Sequence, residues 1–326
     1  MTAPALEVRN LAISVGDRHR RWRVVDGVSF AVDAGRSIGI VGESGSGKSL
    51  TLRGVMALTP PSVQIDSGTV ALAGEELPLH GRRTRATRRG RIAMIFQDPL
   101  SALDPVHPAG AQVAEIAQRV GGRSRRAAWA RAVELLELVG IREAPRRARD
   151  YPHQLSGGMR QRVMIAMALA SEPGILLCDE PTTALDVTVQ AQVLDLLDSL
   201  RRDLRLALVF VSHDLAVVRS ICEDVAVMYA GRFVETGPTP ALLEHPRHPY
   251  TLGLLQAVVD VEDAGRLPRS IPGELPDPGR LPPGCPFNPR CTFAEDDCRQ
   301  GNVELASHGE QDRAVACLHS ERVPPP

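Results

Sequence analysis

The sequence predicts an α/β fold in which parallel strands place a phosphate-binding site at the edge of a sheet. Three short, largely apolar runs, at residues 37–41, 175–180 and 206–212, are suited to buried strands. Each run ends in or next to polar residues that can carry chemistry: a glycine-rich loop, a carboxylate pair and a histidine. Parallel α/β sheets have their active sites at the carboxyl ends of the strands, so we expect these residues to share one site.

Composition limits the function classes open to this chain. Its 326 residues predict about two domains, and 43% hydrophobic with 24% charged residues is typical of a globular protein. The net charge of -1 argues against a protein that coats nucleic acid or anionic lipid. No apolar run approaches the ~18 residues of a membrane span, and the polar start at residues 1–10 is unlike a signal peptide. We therefore expect the chain to stay in the cytoplasm.

A glycine-rich loop follows the first strand and precedes a predicted helix at residues 50–58. Strand, loop and helix are the context that the P-loop motif requires, because the curled backbone points N–H groups at a phosphate chain. Lys48 is the only lysine among 38 basic residues, which marks a position that needs a compact ammonium. We expect Lys48 to reach the β and γ phosphates and Ser49 to ligate Mg²⁺. The predicted nucleotide-binding residues of the loop are Gly42, Ser44, Gly45, Gly47, Lys48 and Ser49.

Two acids and a histidine stand at the ends of the other two strands. In P-loop proteins an acid at a strand end anchors Mg²⁺, and a second carboxylate can polarise the attacking water. We assign the first role to Asp179 and the second to Glu180. His213 follows the strand at 206–212, where its imidazole could contact the γ phosphate and orient Glu180 and water.

A second anion-binding helix end is predicted at Ser156, Gly157 and Gly158. A serine and two glycines at a helix start leave backbone N–H groups exposed. The same residues suit an ordinary N-cap with flexible glycines, and the local sequence leaves both interpretations open. If this helix end binds an anion, the chain has two phosphate-binding segments, and the second needs an explanation.

Over about residues 5–250 the chain resembles the nucleotide-binding subunit of an ABC (ATP-binding cassette) transporter. The family's motifs occur in order: the P-loop, Gln97 before Asp98-Pro99, the signature Leu155 to Gln161, the acids Asp179 and Glu180, the D-loop Ala184-Leu185-Asp186, and the switch His213. The resemblance implies a P-loop (RecA-like) nucleotide-binding domain with an antiparallel β subdomain and a helical subdomain. It implies ATP and Mg²⁺ as ligands.

The resemblance also implies why phosphate is bound twice. In this family two ATPase subunits pair head to tail, and ATP on one P-loop is capped by the signature helix of the other. Glu180 is then the general base, Gln97 joins Ser49 and Asp179 around Mg²⁺, and Asp186 lines the interface. An aromatic residue upstream of the P-loop often stacks on adenine in this family, and Trp22 is the candidate here.

The spacing of apolar and polar residues predicts the other strands and helices. Residues 5–35 and about 62–80 alternate apolar and polar, which suits a small antiparallel sheet, and about 98–160 is predicted to be a helical insert in which Ser124 caps a helix. The arginine-rich stretch at 82–91 is predicted to be a solvated loop. A helix after Asp186 is predicted to bury Val189, Val193, Leu196, Leu200 and Leu204.

A separate C-terminal extension is predicted at residues 246–326, after a nucleotide-binding domain at 1–245, because prolines gather there. Four of the six cysteines lie in it, and clustered thiols in a chain without a secretory signal favour a metal over disulfides. Their spacing leaves zinc and iron–sulfur both open. The metal-binding cysteines are Cys285, Cys291, Cys298 and Cys317, whereas Cys178 and Cys222 are predicted to be small buried hydrophobic residues.

The extension resembles the C-terminal region of oligopeptide/dipeptide transporter ATPases, through residues 245–252, Pro272-Gly273, residues 284–291 and Val315-Ala316-Cys317. This resemblance implies a [4Fe–4S] cluster on the four cysteines, with Zn²⁺ as the alternative. It implies a peripheral subunit at the cytoplasmic face of the cell membrane, paired with a second ATPase subunit in a homodimer or heterodimer. Two membrane permeases would transport peptides delivered by an extracytoplasmic binding protein.

Three other functions are considered. An importer ATPase for another solute, such as nickel, would share every motif above. An ABC ATPase that acts on nucleic acid or ribosomes usually carries two cassettes or long coiled coils, and this chain shows neither. A nucleotide kinase would not need Ser156, Gly157 and Gly158. We therefore expect a peptide-importer ATPase with no nucleic-acid partner.

Overall fold

The computed structural model describes residues 3–17, 20–81, 84–183, 185–257, 270–308 and 312–326. The strands are β1 (Leu6–Gly16), β2 (Arg21–Val32), β3 (Ser37–Val41), β4 (Val63–Leu72), β5 (Glu75–Leu77), β6 (Ile92–Ile95), β7 (Ile175–Asp179), β8 (Ala207–Ser212), β9 (Asp224–Tyr229), β10 (Arg232–Pro238), β11 (Ala306–Ser307) and β12 (Ala314–Val315). The helices are α1 (Lys48–Met56), α2 (Pro99–Ala102), α3 (Ala109–Arg119), α4 (Arg125–Leu138), α5 (Ala144–Arg147), α6 (Gly157–Leu169), α7 (Val187–Leu204), α8 (Leu215–Ile221), α9 (Thr239–Glu244) and α10 (Pro249–Ala257).

The chain divides into two compact units, each assembled from separated stretches. The first unit comprises Met1–Leu6, Val32–Arg36 and Leu72–Val209, and the second comprises Glu7–Ala31, Ser37–Ala71 and Phe210–Pro326. The division passes through β8. Neither unit ends at residue 245, so the boundary proposed there remains a sequence prediction.

The first unit contains two parallel strands and most of the helices. β6 pairs with β7 in parallel, with Ile92 opposite Ile175 and Ile95 opposite Cys178. All positions of both strands are buried, which fits a parallel sheet covered on both faces. Helices α2 to α5 lie within 98–160, where the sequence predicts helices. The Ser124 hydroxyl accepts a hydrogen bond from the N–H of Ala127 at 3.3 Å and caps α4, as predicted.

The second unit contains the strand before the P-loop and the strands of the extension. β3 pairs in parallel with β9, β9 pairs antiparallel with β10, and β10 pairs antiparallel with β12. In this last pair Glu235 lies opposite Val315, so the extension adds strands to the sheet that carries the P-loop. β2, β1 and β4 lie side by side in a second sheet, which confirms that the two alternating segments form strands.

Two expectations from the sequence are wrong. The arginine-rich stretch is not wholly solvated, because Arg88 is only 1% exposed and donates to the carbonyl oxygens of Pro78 and Thr84, both at 2.8 Å. Residues 82 and 83 of that stretch lie outside the described residues. On α7 the last residue, Leu204, is 48% exposed, and Leu197 is buried. The periodic apolar pattern therefore extends past the buried part of the helix.

The burial predicted for the other two cysteines is confirmed: Cys178 and Cys222 are both buried. No helix in the described part of the chain is both long enough and apolar enough to cross a membrane.

Candidate functional site

The P-loop connects β3 to α1 in the second unit, and its glycines are required by geometry. Gly42 has a φ of +156°, and a Cβ added there would lie 2.1 Å from the carbonyl oxygen of Met228. Gly47 has a φ of +109° and precedes the first residue of α1. A side chain at either position would displace backbone, so the loop can curl in this way only with glycine.

Lys48 lies inside the curl of this loop and is 3% exposed. Its ammonium donates to the carbonyl oxygens of Gly42, at 2.7 Å, and Glu43, at 2.8 Å. A compact ammonium at the helix N-terminus matches the donor set that a triphosphate requires. Ser44 and Gly45 are exposed at the tip of the loop, and Ser49 is half-buried in the first turn of α1. These residues and this geometry fit ATP with Mg²⁺.

The predicted acids end β7 in the first unit. Asp179 is the last residue of the strand and is 2% exposed. Glu180 follows it in a left-handed backbone conformation with a φ of +45°. Its Oε2 accepts hydrogen bonds from Gln97 Nε2 at 3.2 Å and from Thr183 Oγ1 at 2.9 Å. The structure thus brings together Gln97 and Glu180, two residues that the sequence analysis assigns to one reaction.

The signature segment begins α6 in the first unit. The Ser156 hydroxyl accepts from the N–H of Met159 at 3.3 Å, so this serine is an N-cap. A Cβ on Gly158 would lie 2.8 Å from Cγ1 of Val189, so Gly158 allows α7 to pack closely against α6. A Cβ on Gly157 would meet no atom within 4 Å, and packing therefore does not explain this glycine.

Asp186 and His213 both precede helices. The Asp186 carboxylate accepts from the N–H of Val189 at 2.9 Å and caps α7, and the side chain is exposed. Ala184 of the same predicted loop lies outside the described residues. His213 is exposed after β8 in the second unit, one residue before Asp214, the N-cap of α8. The predicted interface and switch roles of these residues remain predictions.

Trp22, the predicted adenine-stacking residue, is half-buried on β2. The Arg20 guanidinium lies 5.1 Å from the centre of its ring. A Cβ on Gly279 would lie 2.2 Å from Nε1 of Trp22, so the extension packs its backbone directly against the indole. The structure shows this packing contact, and the adenine role remains a prediction.

The four predicted metal-binding cysteines line one cavity in the second unit, together with Phe287 and His319. Among the described residues the cysteines form no disulfide. Burial raises the pKa of the Cys291 and Cys317 thiols to about 11, and it also raises the pKa of Cys285. These thiols are therefore protonated at neutral pH, and a metal bound there would have to displace their protons.

A second possible ligand group adjoins that cavity. One ligand atom each from Asp297, Cys298 and His319 lies within 4.8 Å of the others. His319 Nε2 is 3.0 Å from Oδ1 of Asp297. Four thiols that line one cavity suit either an iron–sulfur cluster or zinc, and a nearby histidine also suits zinc. The donor set therefore fits a metal and leaves both metals open.

Sequence reasoning missed the residues through which the extension touches the P-loop. Glu43 belongs to the P-loop motif and was given no role, yet its N–H donates to the Tyr250 hydroxyl at 2.8 Å. Arg290, one residue before Cys291, forms an ion pair with the Glu43 carboxylate at 2.9 Å. Tyr250 and Arg290 both lie in segments that carry the resemblance of the extension, which was the only available signal.

Comparison with known proteins is consistent with this geometry. Residues 25–183 match the family model described as ABC transporter, and residues 234–298 match the one described as oligopeptide/dipeptide transporter, C-terminal region. A protein of Brucella abortus named a peptide import ATP-binding protein is 48% identical over 299 residues, covering 91% of this chain and 90% of the relative. A Brucella melitensis protein of the same description is 45% identical over 317 residues, covering 93% of this chain and 94% of the relative.

Solved structures share the fold. A dimeric, post-hydrolysis ATP-binding cassette bound to ADP and Pi superposes with a TM-score of 0.63 at 28% identity, covering 72% of this chain and 98% of that one. The cbiO1 protein of Clostridium perfringens, part of the ABC transporter complex cbiONQ, gives a TM-score of 0.64 at 24% identity, covering 74% of this chain and 90% of that one.

Proposed function

This chain belongs to the ABC transporter family as an ATP-hydrolysing subunit, and on that premise we propose that it powers the uptake of dipeptides or oligopeptides. The observation that carries this proposal is that an ABC cassette at 25–183 and a peptide-transporter C-terminal region at 234–298 occur in one chain. Relatives that span nearly the whole chain are named peptide import ATP-binding proteins, which supports the same cargo.

The chemistry is hydrolysis of ATP to ADP and phosphate. Water attacks the γ phosphorus, the bond from that phosphorus to the bridging oxygen of ADP breaks, and the water proton passes to a base. Glu180 is that base, because its carboxylate is positioned by Gln97 and Thr183. Lys48 holds the β and γ phosphates, and His213 contacts the γ phosphate. Ser49, Gln97 and Asp179 would hold Mg²⁺, which offsets the phosphate charge.

Two ATPase subunits bind ATP between them in this proposal. The P-loop of one contacts the phosphates, and Ser156, Gly157 and Gly158 of the other close over them, with Asp186 at the interface. The free space around Gly157 supports this arrangement, as does the dimeric state of a solved relative bound to ADP and Pi. The second subunit is either another copy of this chain or a sister ATPase, and Trp22 stacks on adenine.

The transporter needs further chains. Two membrane permeases form the path for the peptide, and an extracytoplasmic binding protein delivers it. This chain is then a peripheral subunit at the cytoplasmic face of the membrane, with a nucleotide-binding domain at 1–245, a helical subdomain at about 98–160 and an extension at 246–326. The two separate family matches support a cassette and a distinct C-terminal region, and the second match begins at residue 234, before the proposed boundary.

Cargo is tested with the assembled transporter. The chain is reconstituted in proteoliposomes with its permeases, and ATP hydrolysis is measured while the binding protein is loaded with a dipeptide, an oligopeptide or nickel. We expect a peptide-loaded protein to stimulate phosphate release. Stimulation by the nickel-loaded protein alone would contradict the peptide assignment.

The four cysteines hold a [4Fe–4S] cluster in this proposal, with a structural role. Their thiols line one cavity, which fits four-thiolate ligation, and small proline-rich modules often depend on a bound metal for stability. Anaerobic purification should give a brown protein that contains iron and sulfide. A colourless protein with stoichiometric zinc would show that the site is a zinc site.

A further inference from the structure

Glu43 of the P-loop is held at three points, two of them by the C-terminal extension. Its N–H donates to the hydroxyl of Tyr250 at 2.8 Å, and its carbonyl oxygen accepts from Lys48 Nζ at 2.8 Å. Its carboxylate accepts two hydrogen bonds from the Arg290 guanidinium, at 2.9 Å and 3.0 Å. Such two-point pairing fixes orientation as well as distance.

Arg290 is itself fixed on several sides. Its side chain is 6% exposed, and its Nε donates to the carbonyl oxygen of Pro272 at 2.7 Å. The guanidinium lies over the rings of Tyr229 and Phe287, 5.7 Å and 5.9 Å from their centres. Because the Arg290 side chain is fixed in this way, a shift of the Arg290 backbone should also move the Glu43 carboxylate bound to it.

That backbone belongs to the four-cysteine site. Arg290 ends a short 3-10 turn at Asn288–Arg290, and Cys291 follows it directly. Phe287 lines the same cavity as Cys291 and packs against Tyr250 with ring centres 5.4 Å apart. A shift of Cys291 should therefore move Glu43 by two routes. One is the adjacent Arg290, and the other is the packed pair Phe287 and Tyr250.

We propose that Arg290 is a positioning residue for nucleotide binding: through Glu43 it fixes the P-loop carbonyl that holds Lys48, and it thereby makes ATP affinity depend on the four-cysteine site. This inference rests on the proposed binding of ATP by the P-loop. A buried ion pair by itself is weak evidence for any role beyond structure. What distinguishes this pair is that Glu43 also carries the carbonyl bonded to Lys48.

Replacing Arg290 should weaken ATP binding and leave the chemical step unchanged. Without Arg290 the loop keeps its glycines and its lysine, but the two hydrogen bonds that fix the Glu43 carboxylate are lost. ATP affinity should fall because the loop must then be ordered on binding. The proposed base Glu180, and Gln97 that positions it, lie elsewhere in the sequence and are unchanged. The Michaelis constant should therefore rise while kcat changes little.

The first test compares Arg290→Gln with Arg299→Gln in the purified full-length chain. Arg299 is a matched control because it follows Cys298 as closely as Arg290 precedes Cys291, yet its side chain is 61% exposed and pairs with the exposed Asp296. We expect Arg290→Gln to weaken ATP binding about tenfold, and Arg299→Gln to leave it unchanged. Equal affinity in wild type and Arg290→Gln would overturn the inference, whereas a wild type that binds no ATP would overturn the proposed function.

The second test asks whether the effect passes through Glu43 and the cysteines. Glu43→Gln should weaken ATP binding by a similar factor, and the double variant Glu43→Gln with Arg290→Gln should be no weaker than either single variant. Cys291→Ser should also weaken binding, but not when Arg290 is already replaced. Additive losses, or unchanged affinity in Cys291→Ser, would overturn the coupling. Thermal unfolding without nucleotide identifies any variant that fails to fold, and Glu43→Gln then carries the test.

Discussion

At the scale of single residues, Glu180 combines backbone strain with a defined hydrogen-bonding environment. Its φ of +45° costs a residue with a side chain on the order of 1–3 kcal/mol, and such positions cluster at active sites. Its carboxylate accepts hydrogen bonds from Gln97 and Thr183. The strain is therefore found where the orientation of one carboxylate matters for chemistry.

Glu180→Gln should keep ATP binding and abolish turnover. The amide fills the same space but cannot accept a proton from water, so phosphate release should slow by about 100-fold or more. Single-turnover phosphate release and an ATP binding titration measure the two effects. Glu134→Gln is the control, since Glu134 is an exposed residue of α4 paired with Arg131. Rapid hydrolysis by Glu180→Gln would refute the assignment of the base.

Lys48→Arg should weaken ATP binding about tenfold even though the charge is kept. The ammonium donates to two carbonyl oxygens inside the loop, and a planar, larger guanidinium cannot occupy the same space. Isothermal titration with ATP measures the loss. Arg53→Lys, on the same helix α1, makes the opposite exchange outside the loop and should leave affinity unchanged. If Lys48→Arg bound ATP as tightly as wild type, the shape argument would be wrong.

Local motifs were predictable at this scale, and distant contacts were not. Lys48 ends the glycine-rich loop after β3, and Glu180 follows β7 directly, so their neighbours along the chain reveal them. The pair of Glu43 and Arg290 is separated by 247 residues. One sequence carries no signal for which of its many arginines meets that carboxylate, because the pairing depends on how the extension packs.

At the scale of elements, the start of α6 contains two glycines with different steric surroundings. Gly158 faces Val189 of α7, and Gly157 faces open space. Gly158 is thus explained by helix packing, whereas Gly157 is the glycine that the proposed dimer places against the phosphates of the other subunit's ATP.

Substituting alanine at these two positions should separate stability from activity. Gly158→Ala should lower the free energy of unfolding by about 1–3 kcal/mol, because the methyl group overlaps Val189. Gly157→Ala should leave stability unchanged or slightly raised, yet slow ATP turnover. Chemical denaturation and steady-state phosphate release give the two quantities. Normal turnover in Gly157→Ala would count against the capping role of this helix end.

The elements themselves were largely predictable from apolar patterning. The strand predicted at 37–41 is β3, and the helix predicted to follow the loop is α1, although it begins at Lys48 and not at residue 50. The failures have physical causes. Leu204 fits the helical period but stands at the end of α7, and Arg88 is buried because two carbonyl groups accept its hydrogen bonds. The spacing of apolar residues in the sequence does not show where a helix ends or which polar side chains are buried by hydrogen bonding.

At the scale of the whole molecule, the extension is integrated into the second unit. β12 of the extension pairs with β10. Glu235 of β10 is 1% exposed, and it accepts from Arg313 at 2.8 Å and from the N–H of His248 at 3.0 Å. The hydrogen bonds of this buried carboxylate therefore depend on residues of the extension.

Truncation after residue 245 should therefore destabilise the remaining chain. Truncation removes strand β12 and the two donors Arg313 and the His248 N–H, so β10 becomes an edge strand and its contacts with the extension are lost. Thermal unfolding of chains 1–245 and 1–323 compares this loss with removal of the three terminal prolines alone. An unchanged melting temperature for 1–245 would show that the extension is an independent domain.

The central claim is that two ATPase subunits close on ATP. It is tested most directly by sedimentation velocity of Glu180→Gln, together with its sister ATPase where one is encoded beside it, in Mg²⁺ with ATP or with ADP. The account predicts a species of twice the monomer mass with ATP and monomers with ADP. Identical sedimentation in the two nucleotides at saturating concentration would contradict it.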